Sequence, residues 1–172
     1  MDELERWVHD DYAKAYRTAC LLMRNGADAE DAVQEAFLRA WRFRASLPDG
    51  PGARPWLYRV LVNACHSRLR AEIPRRDRTA TDAGIEQRPA EAPGPEATVE
   101  AGDRAAAVRR ALEDLPDHLR AVVVLRYWSG LSEAEIATAI RRRPGTVKSR
   151  LHEARRRLAA HPAVDAALAE EA

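Results

Sequence analysis

Apolar positions recur along this chain three and four residues apart, the spacing of one helix face, and nowhere in the strict alternation of a half-buried strand. In the first part of the chain the pattern predicts helices over roughly 2–24, 28–42 and 54–71, with a break at Asn25-Gly26. Asp28 suits the N-cap of the second, with Asp31 completing an acidic first turn that complements the helix dipole. Pro55 suits the first turn of the third. Further along, helices are expected near 104–114, 117–129, 132–140 and 145–160, punctuated by Pro116, Gly130 and the Pro144-Gly145 pair. Ser132 and Glu135 are spaced as a capping box, each side chain reaching a free backbone N–H of the other. Between the two groups the periodicity lapses. Residues 73–103 hold Pro74, Pro89, Pro93 and Pro95 with Gly84, Gly94 and Gly102 among Ala, Glu and Thr, the composition of a flexible linker. Such a segment reaches ~100 Å at full stretch. The expected architecture is all-α: two small helical domains, 1–72 and 104–161, a linker over 73–103 and an acidic tail over 162–172.

Composition supports helices, because only 6% of the 172 residues are aromatic while Ala, Leu and Arg abound. Cys20 and Cys65 lie inside apolar helical patterns without metal-site or redox spacing, so they are expected as buried small hydrophobes. The acidic opening and the lack of an apolar run near ~20 residues predict a soluble, cytoplasmic protein with no membrane insertion. The formal net charge of +1 conceals a division along the chain. Residues 54–78 hold seven Arg against Glu72 and Asp77, a net +5, and residues 132–161 hold Lys148 and seven Arg against three Glu, again +5. Residues 82–103 carry six acids against Arg88. Two separate basic blocks point to two contacts with a polyanion.

Three helix faces carry more information than charge alone. On 31–42, Ala32, Val33, Ala36, Phe37, Ala40 and Trp41 form a broad core stripe. Asp31, Gln34, Glu35, Leu38 and Arg42 occupy the other side, where one leucine amid polar groups has the make-up of a protein interface. On the third helix Leu57, Val60, Leu61 and Ala64 form the buried stripe, opposite Arg59, Asn63, His66, Ser67 and Arg70, with Trp56 at the border. Guanidinium and amide groups beside an aromatic ring suit single-stranded DNA, whose phosphates they hold and whose unpaired bases stack on the ring. Near the C-terminus, 131–152 reads as a helix-turn-helix with the small Ala137 at the crossing. Ile136, Ala137 and Ile140 are expected to pack on Val147, Leu151, Ala154 and Leu158. Thr146, Lys148, Ser149, Arg150, His152, Glu153 and Arg156 are left for a DNA major groove.

In two stretches the sequence resembles the extracytoplasmic-function group of RNA polymerase sigma factors, within the sigma-70 family. Residues 28–41, DAEDAVQEAFLRAW, are similar to the family's region-two helix, and Pro55-Trp56-Leu57-Tyr58-Arg59 with Asn63-Ala64 to its promoter-melting segment. Leu115-Pro116 through Leu125-Arg126, Gly130-Leu131-Ser132, Glu135-Ile136-Ala137 and residues 145–151 are similar to region four. The resemblance implies that Asp31, Gln34, Glu35, Leu38 and Arg42 dock on the clamp helices of the polymerase core, whose flap is a further partner. It implies that Trp56, Arg59, Asn63, His66, Ser67 and Arg70, with the loop 43–54, open the minus-10 element of promoter DNA. Arg126, Thr146, Lys148, Ser149, Arg150, His152, Glu153 and Arg156 are then the minus-35 contacts. An anti-sigma factor is an implied partner, and neither cofactor nor metal is. Two positions depart from the family. Arg141-Arg142-Arg143 replace a turn that usually holds glycine, at a cost on the order of 1 kcal/mol if Arg141 takes positive φ. Glu153 stands where a basic residue is frequent, and a carboxylate there can accept from cytosine N4.

Two other classes compete with this reading. An enzyme is disfavoured, since the chain has no Gly-rich phosphate loop, no metal-ligand cluster and no nucleophile with a spaced base. A one-component helix-turn-helix regulator differs in needing no polymerase-docking face and in binding duplex DNA alone.

Overall fold

The computed structural model describes residues 3–23, 26–48, 50–79 and 99–164, and every regular element among them is helical. The order is α1 (Glu3–Met23), α2 (Gly26–Arg42), α3 (Ala53–Thr79), α4 (Val99–Glu113), α5 (Asp117–Tyr127), α6 (Glu133–Ile140) and α7 (Pro144–Ala159). Two 3-10 turns, Arg44–Ser46 and Gly50–Gly52, lie between α2 and α3.

Several boundaries differ from the sequence expectation. α2 starts at Gly26, so Asp28 sits within the first turn rather than capping it, and Asp31 falls beyond that turn. α3 runs past Pro74 to Thr79, although proline removes one backbone donor there; the Arg, Glu and Ile around it are adequate helix formers. α4 begins at Val99, so the linker expected over 73–103 is helical at both ends, and only its stretch 80–98 lies outside the described residues. The expected tail is described through Val164 only, and residues 162–164 continue helically.

The N-terminal half is a bundle of α1, α2 and α3, the C-terminal half packs α5, α6 and α7 together, and α4 lies against α1. Small side chains let the N-terminal helices approach closely: Ala15, Ala19, Ala29, Ala32, Ala36 and Ala64 are all fully buried. In the C-terminal half Val122, Val124, Leu125, Leu131, Ile136, Val147 and Leu151 form the interior. Burial of one such branched side chain contributes about 1.5–3 kcal/mol. The two halves also touch, α3 against α6 and α1 against α5, so that their buried apolar residues form one contiguous cluster. That second contact corrects the expected α3 stripe. Val60 is only partly buried, whereas Tyr58, Val62 and Cys65 are fully buried, because α3 is packed from two sides. A mostly apolar cleft of about 330 Å³ remains between α1, α4 and Trp128.

Turn chemistry follows the sequence closely. Ser132 Oγ accepts from the Glu135 N–H at 3.2 Å while Glu135 Oε2 accepts from the Ser132 N–H at 2.8 Å, closing the capping box that starts α6. Gly130, at φ +67°, turns the chain after α5, and the Leu131 N–H reaches the Leu125 carbonyl at 3.0 Å. Pro144 opens α7 at its first position, where no N–H is missed.

Candidate protein and nucleic-acid interfaces

On α2 the polar face is organised by arginines from two directions. Arg68 of α3 donates through Nη1 to Asp31 Oδ2 at 3.0 Å and lies 3.5 Å through Nε from Glu35 Oε2, while Arg39 also bonds Glu35. The sequence pattern did not anticipate Arg68 in this role, since it stands 37 positions from Asp31 in the chain. Gln34 and Arg42 are exposed, and Leu38 is 60% exposed. Trp41, expected in the core, is instead 51% exposed, with the Arg44 guanidinium 4.5 Å from its ring centroid. At that end of α2 the fully buried positions are taken by Ala36 and Ala40, and the indole lies outward. Leu38 and Trp41, three residues apart on α2, are neighbours on its surface and make a larger apolar feature than the single leucine that the sequence singled out; Phe43, past the end of α2, is 59% exposed. Phe37 stacks on Tyr12, ring centroids 5.6 Å apart.

On α3, Asn63, Ser67 and Arg70 are exposed, while Trp56, Arg59 and His66 are half-buried. The Arg59 guanidinium lies 5.9 Å from the Trp56 ring centroid, so a base stacked on the ring would find a cation beside it. Partial burial, and secondarily the charge of Arg141, pull the Arg59 pKa down. Burial also lowers that of His66, with nearby Asp117 opposing the shift and Arg70 and Arg120 adding to it. The neutral imidazole is favoured. Cys20 and Cys65 are free and buried, and burial pushes the Cys65 thiol up to about 12, which leaves it inert.

The helix-turn-helix is formed by α6 and α7. Ala137, Val147, Leu151 and Ala154 close its interior, and Ile140 and Leu158 pack partly buried against it. Arg141 takes the left-handed conformation, φ 51° and ψ 53°, and the Arg142 N–H reaches the Ala137 carbonyl at 2.9 Å. Arg141 thus does the work of a turn glycine, at the backbone cost expected for a side chain there. Lys148, Ser149, His152 and Arg156 are exposed along α7, and Thr146, Arg150 and Glu153 are half-buried. Arg150 has its pKa lowered by burial and then by the charge of Arg142, a sign of crowded cations. Arg126 is used locally, donating to the Leu131 carbonyl at 3.0 Å. Glu153 is also engaged: Arg157 Nε donates to it at 2.7 Å and Arg156 Nη2 at 2.9 Å. Those hydrogen bonds, from Arg157 first, hold its pKa below the usual carboxylate range. Arg155 donates to the Tyr127 hydroxyl at 2.8 Å and ties α7 to α5.

Among the described residues no group of three or more His, Cys, Asp and Glu is placed to hold a metal, and no helix is long and apolar enough to cross a membrane. Among the described residues the surface thus carries exposed apolar side chains on α2 and exposed basic side chains on α3 and α7.

Comparison with known proteins gives that division a family. Residues 7–73 match the description "Sigma-70 region 2" and residues 105–158 match "Sigma-70, region 4". SigE, an ECF RNA polymerase sigma factor of Mycolicibacterium smegmatis, is 38% identical over 91% of this chain, which spans 59% of that relative's length. SigM of Mycobacterium tuberculosis is 38% identical over 92% of the chain and 74% of its own length. The chain belongs to the ECF RNA polymerase sigma factors. Among solved structures, the sigma factor RpoE of Bartonella quintana, in complex with the anti-sigma factor NepR, superposes with a TM-score of 0.76 at 25% identity, covering 96% of this chain and 99% of that one. A superposition of that coverage takes in both helical halves.

Proposed function

We propose that this chain binds the RNA polymerase core through α2 and directs transcription initiation at promoters with defined minus-10 and minus-35 elements. The observation that carries the reading is the exposed pair Leu38 and Trp41 beside the ordered Asp31, Glu35 and Arg68 charges. A regulator acting on duplex DNA alone has no use for it. Gln34 and Arg42 rim this pair, which docks on the clamp helices of the largest subunit, and region 4 reaches the flap. Residues 1–72 serve as the core-binding and melting domain and 104–161 as the upstream reader, joined by 73–103.

In the same reading Arg59, Asn63, His66, Ser67 and Arg70 hold the strand that is opened at minus-10, and Trp56 stacks on a base. Thr146, Lys148, Ser149, Arg150 and His152 contact the minus-35 element. Glu153 acts through its neighbours, positioning Arg156 and Arg157 rather than reading a base by itself, and Arg126 braces the approach to α6. The protein works in the cytoplasm, has no catalysis of its own, and is held in check by an anti-sigma factor. Gel-shift titration separates this reading from the one-component regulator. Duplex promoter fragments should be bound poorly by the chain alone and tightly after core is added, whereas tight core-independent binding would favour the regulator.

A further inference from the structure

Past α7 the chain turns tightly around His161, whose Nδ1 accepts from the Ala163 N–H at 3.2 Å and whose carbonyl accepts from the Val164 N–H at 2.9 Å. With Nδ1 used as an acceptor, the imidazole carries its proton on Nε2 and donates to Asp114 Oδ2 at 3.0 Å, just past the end of α4. A second tie, from Arg155 to the Tyr127 hydroxyl, holds α7 beside the residue that precedes Trp128. The chain is thus fastened to both C-terminal walls of the apolar cleft, α4 and the end of α5, before it runs on past Val164. That cleft is lined by Leu21, Val108, Leu112 and Trp128, and its charged lining residues, Arg17 and Arg109, are both cations. Val108 and Trp128 are large apolar side chains left 38% and 37% exposed.

The sequence that follows Val164 complements this cleft. Asp165-Ala166-Ala167-Leu168-Ala169-Glu170-Glu171-Ala172 holds three acids and no base, and Val164, Ala167 and Leu168 have the spacing of one helix face. Glu171, three residues beyond Leu168, shares that side of a helix. We propose that residues 165–172 continue the helical turn at 162–164 and dock in the cleft, with Leu168 against Val108 and Trp128 and with Glu170 and Glu171 toward Arg17 and Arg109. The lengths agree. On α4 the lining residues run from Leu112 back to Ala105, ~10 Å at 1.5 Å per residue, and eight helical residues cover ~12 Å. Because the segment is tethered at His161, its effective concentration at the cleft is on the order of millimolar, so a weak apolar contact is enough to keep it seated. This is an amphipathic helix in an apolar groove, supplied by the same chain, and it does not depend on the sigma-factor reading.

The test compares two engineered thiol pairs in the full chain. Val108→Cys with Leu168→Cys spans the cleft, whereas Arg110→Cys with Leu168→Cys does not, because Arg110 is exposed on α4 but does not line it. The native Cys20 and Cys65 are buried, and burial raises both thiols. Under mild oxidant the cleft pair should close within one chain at least about tenfold faster than the control pair. Ala105→Cys, at an exposed lining position, takes the place of Val108→Cys should that variant fail to fold. Equal rates would overturn the proposal, and a disulfide joining two chains would give the cleft to a second copy instead. Amide hydrogen exchange checks the same seat without added thiols: Leu168→Glu should speed exchange over residues 105–112 by about tenfold. Exchange there that is indifferent to residue 168 would contradict a docked segment.

Discussion

The α2 face and the α7 face are both rich in charge, but they handle it in opposite ways. On α2, Asp31 and Glu35 are neutralised by Arg39 and by Arg68 from the neighbouring helix, and the uncompensated feature is apolar. Along the turn and α7, Arg141, Arg142, Arg143, Lys148 and His152 stand exposed with no ion pair of their own among the described residues, and the apolar side chains are sealed inside. A protein partner rewards the first arrangement, because the apolar centre loses water while a preorganised polar rim fixes orientation. A polyanion rewards the second, through release of its counterions.

Substitutions at the two faces should therefore separate stability, protein affinity and salt dependence. The largest effect is expected inside the helix-turn-helix: Leu151→Ala leaves a cavity in a fully buried site and should cost about 2–5 kcal/mol of stability, read from denaturant midpoints. On α2, Leu38→Glu should leave the unfolding midpoint unchanged yet weaken core binding by about 2 kcal/mol, about 30-fold, in a pull-down titration. An unaltered affinity would remove Leu38 from the interface. Arg141→Gly sharpens the other side of the comparison. It should stabilise the chain by about 1 kcal/mol by relieving the left-handed side chain, and lower the slope of log K against log salt by about one if Arg141 meets a phosphate.

A smaller effect concerns the capping box. For Glu135 burial is the largest influence and raises the pKa, but the Ser132 hydrogen bonds and the Arg54 charge outweigh it and the net shift is downward. A carboxylate lowered in the folded state contributes stability that is present above its unfolded pKa and is lost as pH falls through the folded value. Ser132→Ala should cost about 1 kcal/mol near neutrality. The gap between variant and wild type should close as melting temperatures are followed into acid below the usual carboxylate range.

Helix number and order were legible in the sequence because apolar spacing and turn residues act locally; Ser132 with Glu135, Gly130 and Pro144 all appear in the expected places. The cost at Arg141 was legible too, since a turn without glycine forces a side chain into positive φ. What was not legible depends on neighbours distant in sequence. Trp41 lies on the apolar side of its helix wheel, yet Ala36 and Ala40 take the buried positions and the indole stays half exposed. Arg68 meets Asp31 and Glu35 only through the pairing of α2 with α3. Glu153 reads as a free acceptor on a helix wheel, while the rotamers of Arg156 and Arg157 close over it. Tyr58 and Val62 are buried on an α3 that packs on α6 as well as on α1 and α2, and a contact between elements so far apart in the chain leaves no local trace in the sequence.

The most direct measurement of the central claim is run-off transcription with purified polymerase core on a template whose start site has been mapped after overexpression of this chain. The account predicts a transcript of defined length only when chain and core are both present, lost on Leu38→Glu. Transcription by core that is indifferent to the chain, or a chain that represses rather than initiates from that template, would contradict it.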